Sequence, residues 1–195
     1  VSGGNLTIAA PNIVDSNQTL AVSGSGLTYV KVPLTLATLS VDAGATLSGT
    51  GASSPAAVTV KNALVWNGGA LSSIAVQANG PVTLSGSAKA LQAATLNTAG
   101  NVQWVGGPIA GSAGGLVRNT GVFTIAVSAQ TDMSASGPGA CRLANLGSIV
   151  KSGSGATVLS CDLDHKGALT VTGGSLALAG ADSFYDSGST VSALA

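Results

Sequence analysis

Charged and aromatic side chains are scarce in this chain of 195 residues. Only 7% of the residues are charged, 3% are aromatic, and glutamate is absent. Seven basic residues balance seven aspartates, and they are scattered along the sequence instead of forming the basic face that phosphate neutralisation requires. We therefore expect neither nucleic acid nor an anionic membrane surface as a partner.

Residues that favour helices are also few, whereas Gly, Val and Thr recur every few positions, which favours strands and turns. The longest stretch without charge, residues 90–117, is broken by Gln, Asn, Pro and several Gly. This segment is too interrupted to span a bilayer, so we expect no membrane insertion.

An internal repeat of about 20 residues organises the sequence. Its anchors are separated by 18, 20, 21, 26, 20 and 21 residues: Asn62, Gly80, Gly100, Gly121, Gly147, Gly167 and Gly188. Four residues before the anchors stands an apolar column: Val58, Val76, Leu96, Val117, Leu143, Leu163 and Phe184. Positions two and four residues after the anchors are also mostly apolar, with mixed residues between them. This alternation is typical of strands.

A repeat of this length suits one coil of a parallel β-helix. We therefore predict an all-β, single-stranded parallel β-solenoid with about 20 residues per coil, formed by residues 1–195 as one domain. The register is clear from about residue 56. Upstream, Leu39, Ala45 and Leu47 fit an anchor at Ala43, and the long step before Gly147 is assigned to an insertion around residues 134–139.

A polar column lies two residues before the later anchors. It contains Asn119, Asn145, His165 and Asp186. Because equivalent positions of successive coils stack, we expect these side chains to form a ladder of turn residues that bond from one coil to the next.

The two cysteines, Cys141 and Cys161, lie one repeat apart at the same position of the repeat. Stacked positions in a parallel sheet are about 4.8 Å apart, close enough for a covalent bond, so we predict a disulfide between adjacent coils. The alternative is a pair of reduced cysteines stacked in the core. Together with the glycosylation acceptors Asn5 and Asn17, a disulfide would indicate an oxidising compartment, so we expect an extracellular or cell-surface protein.

Three segments carry a family resemblance: residues 41–49 (VDAGATLSG), 104–111 (WVGGPIAG) and 171–178 (VTGGSLAL). They resemble repeats of large bacterial surface proteins and of autotransporter passenger domains. The resemblance covers roughly residues 41–195 and implies a right-handed β-helix that is secreted or displayed as a segment of a longer repeat protein. The cysteine pair departs from that pattern, because such passengers usually avoid cysteine.

One dense polar region could carry chemistry: Asp162, Asp164, His165, Lys166, Tyr185 and Asp186. Polysaccharide hydrolysis needs paired carboxylates across a cleft, and lyase chemistry needs basic groups beside acidic metal ligands. The region lacks a basic cluster and a recognised metal spacing, so we predict no catalytic residues, no metal site and no cofactor. Trp66 and Trp104 share one column and could stack on sugars, but the apolar column favours the core.

The leading functional hypothesis is a non-catalytic extracellular structural or adhesive module, such as a stalk, fibre or adhesin segment. Its expected partners are neighbouring solenoid segments or subunits and surface glycans. The alternative is a β-helix that binds or cleaves polysaccharides. Ice binding is the third hypothesis. Thr83, Thr124 and Thr170 share a column, which suggests a threonine ladder, but Gln103 interrupts it.

Overall fold

The computed structural model describes residues 3–9, 17–49, 56–136, 141–181 and 184–193. These residues contain no helix and form parallel strands, stacked as a β-solenoid of about eight turns with roughly 20 residues per turn. The predicted fold is confirmed. Each complete turn contributes strands to three faces, which we call faces 1, 2 and 3 in chain order within a turn.

Face 1 is a nine-stranded sheet. Its strands are β1 (Asn5–Ile8), β3 (Leu27–Val30), β5 (Thr46–Gly49), β7 (Gly69–Ser72), β10 (Lys89–Gln92), β13 (Ile109–Ser112), β16 (Thr131–Ala135), β19 (Ala156–Leu159) and β22 (Ser175–Leu178).

Faces 2 and 3 belong to one larger sheet, because two long strands run through the corner between them: β4 (Leu34–Val41) and β6 (Ala56–Trp66). Face 2 continues with β8 (Ile74–Ala78), β11 (Thr95–Thr98), β14 (Gly115–Asn119), β17 (Cys141–Asn145), β20 (Asp162–His165) and β23 (Phe184–Tyr185). Face 3 comprises β2 (Thr19–Val22), β9 (Val82–Leu84), β12 (Val102–Trp104), β15 (Val122–Ile125), β18 (Ser148–Lys151), β21 (Ala168–Val171) and β24 (Thr190–Ala193).

Two apolar columns of the repeat form the core of the middle turns in register. On face 2 the stacked residues are Val58, Val76, Leu96, Val117, Leu143 and Leu163. On face 3 they are Leu64, Val82, Val102, Phe123, Ile149 and Leu169. All twelve side chains are at most 3% exposed. Like-on-like stacking therefore builds one continuous interior.

The anchor glycines line the corner between faces 2 and 3, and close contact between turns explains why they are glycine. A Cβ atom on Gly100, Gly121, Gly147 or Gly167 would overlap the carbonyl oxygen of the anchor glycine one turn earlier. A side chain at this corner would force the turns apart and break the backbone hydrogen bonds between them.

The predicted register is wrong at the two ends of the repeat. Upstream, Leu39 pairs with Leu64 across a bulge after Leu36, so the corner falls near Ala37 and not at Ala43. In the last turn, Tyr185 lies opposite His165, and Val191 opposite Leu169. Four residues separate β23 from β24 where two separate β20 from β21, so Gly188 lies inside a longer turn.

The long step before Gly147 is also divided differently from the prediction. Ile109 pairs with Met133, whereas Trp104 pairs with Ile125 and Gly115 with Cys141. Relative to the step from Trp104 to Ile125, three of the five extra residues therefore lie before β16, and the other two lie between β16 and β17. Of the predicted insertion, residues 137–139 lie outside the described residues.

Truncation of the face 2 column should create a cavity. We predict that Leu143→Ala lowers the free energy of unfolding by about 2–5 kcal/mol, because Leu143 is only 2% exposed between Val117 and Leu163. Leu146→Ala is the matched control, since Leu146 is 43% exposed and its truncation should change stability by less than about 0.5 kcal/mol. Urea denaturation of both variants checks this, and equal losses would contradict the register.

Candidate functional site

Outward charge is concentrated on face 2 and on its corner with face 3. The charged residues there are Lys61, Arg118, Arg142, Asp162, Asp164, Lys166 and Asp186. On face 1 the outward residues of the middle turns are mainly small, such as Ala70, Ala90 and Ala110, which stack in one row. Face 2 and this corner therefore present most of the charged side chains that could contact a ligand.

A chain of hydrogen bonds runs through the interior behind face 2. Thr98 Oγ1 donates to Asn119 Oδ1 (3.1 Å), and Asn119 Nδ2 donates to Asn145 Oδ1 (2.7 Å). The Asn145 and His165 side chains meet at Nδ2 and Nδ1 (3.1 Å). All four side chains are at most 1% exposed. Three predicted ladder residues are thus brought together, at the inner ends of strands and not in exposed turns.

The backbone fixes the direction of this chain. Asn145 Nδ2 also donates to Gly147 O at 3.0 Å, which holds the amide with its NH₂ group toward His165. His165 Nδ1 must then accept, so the ring proton lies on Nε2, which faces Thr190 O at 3.5 Å. His165 therefore ends the ladder and links it to β24.

Asp186 does not belong to this ladder, which corrects the prediction. Its backbone N–H donates to His165 O, but its side chain is exposed and accepts from the Ser187 N–H at 2.7 Å. The Tyr185 ring instead packs edge-on against the His165 ring, with centroids 5.8 Å apart. The error follows from placing the last anchor at Gly188.

Replacing the central amide should break buried hydrogen bonds. Asn145→Leu keeps a similar volume but leaves His165 Nδ1 without its donor and removes the Asn145 Oδ1 acceptor of Asn119, while Gly147 O keeps only its bond from the Ala168 N–H. We predict a loss of at least about 2 kcal/mol in the free energy of unfolding. Asn101→Leu is the control, because Asn101 is exposed. Chemical denaturation checks the pair, and a stable Asn145→Leu protein would show that the ladder contributes nothing.

Two buried lysines hold the corner between faces 3 and 1. Lys89 is 1% exposed and its Nζ donates to Ser87 O and Gly106 O, both at 2.9 Å. Lys151 is fully buried and its Nζ donates to Gly153 O and Gly173 O. Each ammonium group thus bonds carbonyls of two successive turns. Desolvation lowers the pKa of Lys89 to about 8 and also lowers the pKa of Lys151.

These pKa shifts predict that stability rises with alkaline pH. Well below pH 8, Lys89 is protonated in both states and the folded state bears its desolvation cost. Between about pH 8 and 10.5 the folded state loses the proton first, so the unfolded state binds more protons and stability increases. We expect a gain of up to about 3 kcal/mol from Lys89.

Urea denaturation at pH 7.5 and pH 10, with the disulfide kept oxidised, measures this gain. The Lys89→Met variant should show a smaller rise, because only Lys151 then contributes. A rise that is unchanged in Lys89→Met, or a fall in the wild type, would contradict the assignment.

The polar region that the sequence offered for catalysis is divided by the sheet. Asp164 faces outward and forms a salt bridge with Arg142, with 2.7 Å between Oδ2 and Nη2, whereas the adjacent His165 faces inward. Register places Arg142 opposite Asp162, and its guanidinium contacts Asp164 diagonally. Lys166 is exposed at the corner. His165 and Asp164 thus lie on opposite sides of one strand and do not form an acid–base pair.

Two shallow grooves adjoin each other on face 2 and share Arg118. The first, of about 230 Å³, is lined by Gln77, Asn97, Thr98, Arg118 and Thr120. The second, of about 220 Å³, is lined by Leu116, Arg118, Arg142, Ala144, Leu146, Asp164 and Lys166. Gln77, Asn97 and Arg118 are directly paired on β8, β11 and β14. Sequence reasoning missed these residues, although they form a polar column one residue after the face 2 core column.

Both tryptophans lie in the core. Trp66 and Trp104 are 0% exposed, and Trp104 packs edge-on against Phe123 with ring centroids 6.4 Å apart. Trp104 Nε1 donates to Gly107 O at 2.8 Å. Neither ring can serve as an exposed platform for a sugar.

Cys141 and Cys161 are joined by a disulfide between adjacent turns, with 5.0 Å between their Cα atoms. Both residues are at most 7% exposed.

The predicted glycosylation acceptors Asn5 and Asn17 are exposed, and their use stays a prediction. Within the described segments, no helix is long and apolar enough for a membrane span, and no three metal-ligating side chains cluster.

The fold places this protein among the parallel β-solenoids. The chain matches no protein-family model, no curated protein and no solved structure.

Proposed function

We propose that the chain is a non-catalytic structural or adhesive module of a secreted or cell-surface protein. The observation that carries the proposal is the contrast between its faces. Small residues dominate the outward rows of face 1 and line its groove of about 360 Å³, while face 2 carries paired amides and, with its corner to face 3, most of the outward charge. A rod that presents one recognition surface suits attachment.

The interior supports a mechanical role. Stacked apolar columns, the Asn119–Asn145–His165 ladder, the buried lysines and the disulfide each connect successive turns. Connections of these four kinds resist separation of the turns along the solenoid axis. The disulfide is also compatible with an extracellular location.

Neighbouring solenoid segments or subunits are proposed partners. Leu178 and Val191 in the last described turn are 37% and 61% exposed, whereas their counterparts Leu159 and Leu169 are 2% and 3% exposed. A stacked turn would cover these apolar side chains as the preceding turns cover theirs.

Binding of carbohydrate is the second candidate, and the grooves around Arg118 favour it. Cleavage is not favoured, because Asp164 is engaged by Arg142 and His165 faces the interior. Ice binding is less favoured. In the outward column of face 3, Gln103 lies between Thr83 and Thr124, so the threonines do not form a regular array.

Adhesion without turnover can be measured directly. Beads coated with the oxidised protein should attach to polysaccharide-coated surfaces more strongly than beads carrying reduced, unfolded protein. The same incubation should release no new reducing ends and no unsaturated sugars. Product release by the wild type, abolished by Asp164→Asn, would contradict the proposal and establish an enzyme.

A further inference from the structure

We infer that the two grooves of face 2 form one binding site for an acidic oligosaccharide, with a hexuronate carboxylate on Arg118. This inference rests on the proposed adhesive function and names its partner. The starting observation is Arg118 itself. It is exposed, lines both grooves, and its guanidinium has no hydrogen-bond or salt-bridge partner among the described residues.

The chemistry of the first groove suits sugar hydroxyls. Asn97 offers two amide donors and an acceptor, and Gln77, whose Nε2 already donates to Asn79 Oδ1 at 3.0 Å, keeps one N–H donor and its acceptor. The sheet register places both amides side by side with Arg118. No carboxylate lines this groove, so a negatively charged ligand meets no repulsion there.

The second groove adds positive charge and an apolar patch. Three cations, Arg118, Arg142 and Lys166, line it against one carboxylate, that of Asp164. Leu146 is 43% exposed at its edge and offers a surface for the C–H face of a sugar ring. A guanidinium fork matches a carboxylate with two parallel hydrogen bonds, which explains the choice of a uronate.

The geometry favours a chain over a single sugar. Successive turns are about 4.8 Å apart, and one sugar residue of an extended oligosaccharide spans a similar length. Gln77, Asn97 and Arg118 therefore repeat at a distance that lets consecutive sugars each meet one turn. Both grooves lie along the solenoid axis, so one oligosaccharide can occupy both.

The experiment is calorimetric titration of the oxidised protein with a galacturonate tetramer at low salt, with a galactose tetramer as the neutral control. We expect the acidic tetramer to bind at least tenfold more tightly. Arg118→Gln should weaken its binding at least tenfold, and Asn97→Asp should abolish it by placing a carboxylate in the first groove. Lys31→Gln, an exposed cation outside face 2, should leave affinity unchanged.

Four results would overturn the inference: no binding of the galacturonate tetramer, equal affinity for both tetramers, no effect of Arg118→Gln, or equal binding of polyglutamate, which would show unspecific attraction of anions. Circular dichroism and melting temperature confirm that the variants are folded, and Arg118 and Lys31 are both exposed. If beads attach to polysaccharide but the galacturonate tetramer does not bind, the ligand class is wrong while adhesion stands. If the tetramer binds and is cleaved, the site stands and the non-catalytic function fails.

Discussion

Parallel hydrogen bonding between successive turns forces each inward side chain to pack on its counterpart one turn away. This constraint sets the residue type allowed in every column. A leucine stacks on valine or leucine, as Leu143 does on Val117 and Leu163. A residue that sits against a corner carbonyl of the turn before must be glycine, as Gly80 is against Asn62 and Gly100 against Gly80, because a Cβ atom would overlap that carbonyl. The sequence repeats because each turn must present residues that pack on the turn before it.

The same constraint determines how polar groups survive in the interior. In the ladder behind face 2 each member bonds to the next, as Asn119 and Asn145 do, whereas the stacked Thr131 and Thr157 of face 1 are buried with no hydrogen-bond partner for either hydroxyl. The corner between faces 3 and 1 instead turns carbonyl oxygens inward, and Lys89, Lys151 and Trp104 donate to them. These long side chains bring donors to buried carbonyl oxygens. Their hydrogen bonds take the place of those that water would make at the surface.

Much of the fold could be predicted from sequence, because columns such as Val76, Leu96 and Val117 depend only on a constant spacing. The prediction failed where the corner length changed. Gly188 lies in a four-residue turn, and β4 passes its corner through a bulge with no glycine at all. Residue types alone do not reveal such changes, because a longer turn also contains Gly, Ser and Asp.

The candidate site was harder to predict, since outward columns are not restricted by packing. Asn97 and Arg118 are different types of residue, so the sequence does not mark them as equivalent positions. Only the register shows that they are neighbours. The burial of Lys89 and Lys151 was equally hidden, because a lysine in a sequence is normally read as a surface residue. Both features depend on the faces of the solenoid, which the repeat alone does not define.

In-register stacking is tested most directly by mapping the disulfide in the native, oxidised protein. Trypsin cleaves after Arg118, Arg142, Lys151 and Lys166, so Cys141 and Cys161 fall in separate peptides, residues 119–142 and 152–166. The account predicts one disulfide-linked species of these two peptides by mass spectrometry, which separates on reduction. Alkylation of both thiols in the native, unreduced protein would contradict it.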